Sequence, residues 1–98
     1  MIKPGSFKLP ANEDYLGYAD SMAEEIEKQL NDLLELDGLP SLPVDASDRE
    51  VRDRRRLFVA IARAVVKHLN DNRTAIDIDV PLNGGTVTVH PTFNIEGL

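Results

Sequence analysis

The chain has no cysteine and no tryptophan, and aromatic residues make up only 5% of its 98 positions. Lack of cysteine excludes a disulfide framework, a thiolate zinc site and a cysteine nucleophile. With so few aromatics, the core has to be built from Leu, Ile, Val and Ala. No apolar run approaches the roughly 18 residues of a membrane-spanning helix. The longest, Leu57–Ala62, is followed at once by Arg63. No apolar segment follows Met1, so a secretion signal is not expected and the chain reads as soluble and cytosolic. A G-x-S-x-G elbow, an H-E-x-x-H pair, a P-loop and a Rossmann glycine pattern are all missing. The sequence therefore names no reaction, and no enzymatic activity, catalytic residue, metal or cofactor is expected. A chain of this length makes one domain at most.

What is present is a sorting of charge. Residues 11–38 carry nine acids against one base, Lys28, for a local net of −8. Residues 48–73 carry eight bases against four acids, for +4. The whole chain is at −6. A module with an acidic and a basic flank is suited to sit beside something charged, including another copy of itself.

Periodicity turns these segments into elements. Residues 1–11, with Pro4, Gly5 and Pro10 around Phe7, read as an extended arm. Asn12 is a candidate N-cap, and Tyr15, Ala19, Met22, Ile26, Leu30 and Leu33 recur at helical steps, which predicts one helix over residues 12–37. Gly38 and Pro40 end it. Residues 38–47 form a connector stiffened by Pro40 and Pro43. Ser47 and Glu50 match a capping box, and a second helix is expected over residues 48–72. Its apolar face is expected to hold Val51, Phe58, Ile61, Ala62, Val65 and Leu69. The two helices should pack antiparallel, with Met22, Ile26, Leu30 and Leu33 against Phe58, Ile61, Val65 and Leu69.

The period then changes to two. Ile76, Ile78 and Val80 alternate with Asp77 and Asp79, and Asn83-Gly84 separates them from Thr86-Val87-Thr88-Val89. Asn-Gly between alternating runs predicts a hairpin over residues 75–90. A two-residue turn pairs Leu82 with Gly85, Val80 with Val87, Ile78 with Val89 and Ile76 with Pro91. One face is then apolar, and the other places Asp77 opposite His90 and Asp79 opposite Thr88. Two strands alone are marginal in water. The arm, the tail of residues 91–98 or a neighbour's strand is expected to complete the hairpin, in cis or in trans. The fold class is α+β: an antiparallel αα-hairpin, then a C-terminal β-hairpin, with an extended N-terminal arm.

At about 100° per residue, Arg49, Arg52, Arg56, Arg63 and Lys67 fall within an arc of roughly 60° on the second helix. If the helices bury their apolar stripes together, this basic arc and the acids of the first helix point away from each other. They are then candidates to meet across subunits, with Glu24, Glu27 and Glu35 on the acidic side and Phe7 on the arm. Direct nucleic-acid contact is not expected, given the net acidity and the lack of interleaved aromatics. Arg54 falls on the apolar side and should snorkel or pair with an acid late in the first helix. Asp77, Asp79 and His90 can be read as a metal cluster, but a polar outer face with one Asp–His pair is the simpler reading. Tyr15 and Tyr18 read as packing residues. His68, near the end of the second helix, suits the helix dipole.

The stretch Leu57–Val89 carries Ala60-Ile61-Ala62-Arg63-Ala64-Val65-Val66-Lys67-His68-Leu69-Asn70 and leads into a Thr/Val-rich hairpin. It resembles small structural proteins of tailed bacteriophages and prophages, in which an Ala/Val-rich helix of the A-I-A-x-A-V-V-x-H type precedes a β-rich tail. The resemblance covers about a third of the chain, which ends sooner after its hairpin than such proteins often do. It implies a virion or morphogenesis protein without enzymatic activity, made in the host cytoplasm. The implied partners are other copies of itself and neighbouring virion proteins, in a homo- or hetero-oligomer away from membranes. The alternative is an acidic soluble regulator or inhibitor that mimics nucleic-acid charge and occupies a basic partner site.

Overall fold

A computed structural model describes residues 1–6, 15–45 and 47–96. Phe7 of the arm and the candidate cap Asn12 lie outside the described residues. The elements are a one-turn helix α1 (Tyr15–Tyr18), α2 (Met22–Leu36), α3 (Arg49–Asp71), a 3-10 turn (Arg73–Ala75), and strands β1 (Ile78–Leu82) and β2 (Gly85–Val89). The fold is α+β, with helices followed by a C-terminal antiparallel β-hairpin. The molecule measures 59 × 33 × 17 Å along its principal axes.

The first helix is not continuous. Asp20 adopts a left-handed φ of 58°, and Ser21 takes up extended geometry as the N-cap of α2. A helix leaves its first amides bare, and here each is met. Ser21 N–H donates to Tyr18 O at 3.1 Å, Met22 N–H to Lys3 O at 2.7 Å and Ala23 N–H to Pro4 O at 3.1 Å. Glu24 N–H donates to Ser21 Oγ at 3.1 Å, while Glu24 Oε1 accepts from Asp20 N–H at 3.2 Å. Ser21-x-x-Glu24 is thus a capping box inside the stretch expected to be unbroken helix. The shortened α2 spans about 22 Å.

The arm supplies two of those acceptors, and the same segment is held from other sides. Lys3 Nζ donates to Leu16 O at 2.6 Å and Ala19 O at 2.8 Å, closing the C-terminal end of α1. Ile2 pairs in parallel with Ile95 in the tail. Ile2 N–H donates to Asn94 O at 2.6 Å, and Glu96 N–H to Ile2 O at 2.8 Å. The described part of the arm and the tail are therefore joined to each other and to α2, not added to the hairpin.

At the other end of α2, Gly38 (φ 72°) acts as expected. Leu39 N–H donates to Leu34 O at 2.9 Å and Gly38 N–H to Glu35 O at 3.0 Å, the double bond of a Schellman cap. The cap of α3 is shifted by one from expectation. Asp48, not Ser47, caps it, accepting from Glu50 N–H at 2.9 Å. Ser47 is drawn back instead, donating through both N–H (3.0 Å) and Oγ (2.7 Å) to Asp45.

Helices α2 and α3 pack antiparallel around Tyr18, Ala23, Phe58, Val59 and Ala62, with Met22, Ile26 and Leu30 against this cluster. The buried faces are rotated from the expected ones. On α2, Ala23 and Glu27 are buried while Leu33 is exposed; on α3, Val51, Arg55, Phe58, Val59, Ala62 and Val66 are buried. Ile61, Val65 and Leu69, expected in the core, are 42%, 44% and 41% exposed. Mutual satisfaction of Glu27 and Arg55 accounts for the rotation: a charged pair that closes on itself can enter the interface, and the helix turns to bring it there.

The hairpin register is the expected one, with Ile78 opposite Val89, Asp79 opposite Thr88, Val80 opposite Val87, Pro81 opposite Thr86 and Leu82 opposite Gly85. Gly84, in the turn, holds φ 88°. Every residue of both strands is exposed.

Candidate functional site

Among the described residues, three regions stand out: a buried ion cluster, a basic helix face, and an exposed apolar surface. The cluster centres on Glu27. Arg55 Nε lies 3.0 Å from its Oε2 and Arg55 Nη2 3.1 Å from its Oε1, a bidentate pair. Arg54 Nη2 adds a contact to Oε2 at 3.1 Å and reaches Pro43 O at 2.6 Å. The Arg55 guanidinium sits over the Tyr18 ring, 4.8 Å from its centroid. Tyr18 Oη in turn donates to Ala23 O at 3.3 Å.

Two arginines on one carboxylate decide its ionisation. Burial pushes the Glu27 carboxyl up, but the hydrogen bonds from Arg55 and Arg54 outweigh this and hold it below the ordinary glutamate range. Burial, and then the charge of Glu27, push the Tyr18 phenol far above the usual tyrosine range. At neutral pH the carboxylate is fully engaged and the phenol stays protonated. An open cleft of about 530 Å³ beside the cluster is lined by Glu24, Lys28, Asn31 and Leu42 among others. The arrangement joins α1, α2, α3 and the connector, and it leaves Glu27 poorly placed to accept a proton from a bound molecule.

The cluster takes Glu27 out of the acidic face expected to meet other subunits, and does so through Arg54 and Arg55, which lie outside the basic arc. Glu27 is only 7% exposed and is not a surface acid. Arg54 does pair with an acid, but one in the middle of α2 rather than late in it. Asn-and-serine contacts engage Glu35, which accepts from Asn31 (3.2 Å) and Ser41 (3.1 Å). Glu24 belongs to the capping box and faces Lys28 Nζ at 3.2 Å.

Of the basic arc, Arg49, Arg56, Arg63 and Lys67 are exposed and Arg52 is half-buried. Arg56 Nη1 lies 2.9 Å from Asp53 and Arg49 Nε 3.8 Å from it. Lys67 pairs with Asp71. Arg63 is exposed on the same side. Exposed pairs at this spacing contribute only a few tenths of a kcal/mol each. On the outer side of the hairpin, Thr88 Oγ1 donates to Asp79 at 2.9 Å, and His90 Nδ1 lies 3.0 Å from Ile76 O and 3.5 Å from Asp77. Among the described residues, no group of three or more His, Cys, Asp or Glu is placed to hold a metal ion. No helix among them is long and apolar enough to cross a membrane.

In the third region, pattern reading anticipated the apolar face of the hairpin and its need for cover but missed the flank of α3. Leu57, Ile61, Val65 and Leu69 are 41–56% exposed along one flank of α3, and Ile78, Val80, Leu82, Val87 and Val89 are 38–57% exposed in the hairpin. A signal was available. Apolar residues on α3 occupy more of the helix than one neighbour can cover, since Val59 and Val66 lie on one side of Phe58 while Leu57 and Ile61 lie on the other. The chain matches no protein-family model, no characterised protein and no solved structure at a significant level.

Proposed function

We propose that this chain is a small non-enzymatic structural subunit of a phage-like particle, acting through contacts repeated over many copies. The observation that carries the reading is the hairpin. Its apolar face, set by the pairs Ile78–Val89 and Val80–Val87, is exposed throughout. A two-stranded sheet of this kind needs cover to be stable, and a surface of contiguous apolar side chains marks an interaction site. The resemblance of Leu57–Val89 to phage structural proteins supplies the setting, a virion. The exposed cationic arc on α3 is a second surface available to neighbours.

The charge-mimic alternative draws less support. A mimic of nucleic acid has to present its acids unpartnered. Of the three acids singled out on α2, Glu27 is buried between two arginines, Glu24 faces Lys28, and Glu35 accepts two hydrogen bonds.

Mass spectrometry of particles purified from the producing cells tests the proposal. The chain should be present at a fixed ratio to the other particle proteins. A chain recovered only in the soluble fraction, with none in washed particles, would contradict it.

A further inference from the structure

The hairpin face and the α3 flank match each other in size. From Leu57 to Leu69 the flank rises about 18 Å. A five-residue strand spans about 16 Å. Between those ends the flank carries Leu57, Ile61, Ala64, Val65, His68 and Leu69 and no permanently charged side chain. It points away from the basic arc, with the buried face of α3 between them on one side. The two apolar surfaces belong to one chain but do not cover each other. The residues of both remain exposed, and only Asn72–Asp77 separates α3 from β1.

We infer that the occupant of this surface is a second copy of the chain: the hairpin of each copy lies on the Leu57–Leu69 flank of the other. The inference deepens the assembly reading above by naming the partner and the contact. Two arguments select a face-to-face contact between copies. The first is the strand edge. A two-residue turn makes Leu82–Gly85 a hydrogen-bonded pair, so the backbone groups of Asp79 and Pro81 point to the free side of β1. Pro81 has no N–H to offer there, which blunts that edge against strand addition. The outer edge of β2 keeps the N–H groups of Thr86 and Thr88, but a strand added there would extend the sheet and leave its apolar face bare, so cover has to come over the face. The second is area. Nine or ten half-exposed aliphatic side chains exceed what a monomer ordinarily leaves contiguous. Reciprocal exchange covers the sheet face and the helix flank on both copies at once, which brings the contact to the roughly 800 Å² per partner of a stable interface. The basic arcs lie on another side of α3 from this contact.

The chain's lack of cysteine makes the test clean. Single-cysteine variants Val65→Cys and Val87→Cys, mixed and oxidised, should give a disulfide-linked heterodimer. Sedimentation equilibrium of the unmodified chain should give twice the 10.9 kDa chain mass, persisting in 0.5 M salt at about the same dissociation constant, since the contact is apolar. Val65→Asp and Val87→Asp should each raise that constant at least 100-fold while the helical circular-dichroism signal is kept. A monomeric mass at concentrations of hundreds of micromolar would overturn the inference. So would an unchanged mass in both Asp variants, or cross-linking of Val65→Cys only to itself. A monomer that is nevertheless found in purified particles would leave the subunit proposal standing and assign the cover to another particle protein. A dimer absent from particles would do the reverse.

Discussion

At the start of α2, four amides that a helix leaves bare are met by Tyr18, Lys3, Pro4 and Ser21. Arm, tail, α1 and α3 close around the same point. In the hairpin, the five apolar side chains of one face remain 38–57% exposed. The two regions use the same kinds of residue and reach opposite ends. The difference lies in how far the chain has to travel to find a partner. The arm returns to Met22 and Ala23 from residues that α1 places nearby. The hairpin follows α3 after Asn72–Asp77, and its apolar residues remain exposed and are left for contact outside the molecule. One region is a finished fold; the other is a surface.

Adjacent valines give the largest test of that contrast. Val66 is 2% exposed and Val65 44%. Val66→Asp buries an unpaired charge and should cost more than about 4 kcal/mol, most of the stability of a domain this size. Thermal melts should show it unfolded. Val65→Asp, on the outer flank, should change the melt of the dilute monomer by less than about 1 kcal/mol. Unfolding of Val65→Asp instead would mean that Val65, and not Val66, faces the core.

Glu27→Ala comes next. It leaves Arg55 buried without its counter-charge and should cost about 3–5 kcal/mol. The folded-state carboxyl is held below its unfolded value, so the pair's contribution is fully present above the unfolded pKa of about 4.3 and is lost as pH falls through the folded value. Urea titrations of wild type and Glu27→Gln should therefore differ most near pH 7 and converge as the solution is acidified below about pH 4. A gap that is independent of pH would remove the ion cluster from the account.

Gly5→Ala probes the arm. Gly5 holds φ 120°, and a Cβ there would stand 3.0 Å from Ser21 Oγ and 3.2 Å from Ala23 Cβ. The substitution should cost about 1–3 kcal/mol and loosen the cap of α2. The matching change in the other region is smaller. Gly84→Ala meets nothing within 4 Å and strains only the turn at φ 88°. It should melt the hairpin locally and shift the global transition by less than about 1 kcal/mol. Amide shifts in NMR spectra separate the two, with Gly5→Ala moving signals of α2 and Gly84→Ala only those of β1 and β2.

The sequence carried the hairpin almost completely, because a two-residue turn and strict alternation leave a single register that separates the faces. It also carried α3 to within a residue of its ends and the glycine stop of α2. It misplaced the start of α2 because helical spacing from Tyr15 to Met22 concealed the Ser21–Glu24 box, and because the groups that complete the cap, the carbonyls of Lys3 and Pro4, come from the arm. The buried faces were misread for a related reason. Periodicity treats Glu27 and Arg55 as surface residues, and only a partner 28 positions away in the chain makes them interior ones. Once that pair turns the helices, Ile61 and Val65 move outward, and the uncovered flank of α3 is a consequence that no local pattern contains.

Amide hydrogen exchange followed against protein concentration tests the contrast most directly. In dilute monomer, the amides of Met22, Ala23 and Glu24 should be protected nearly to the limit of global unfolding, while those of Val80 and Val87 exchange close to the rate of an open chain. Raising the concentration should protect the hairpin and leave the start of α2 unchanged. Strong hairpin protection already present in the dilute monomer, equal to that of α2, would show that the chain closes both regions by itself and would contradict the account.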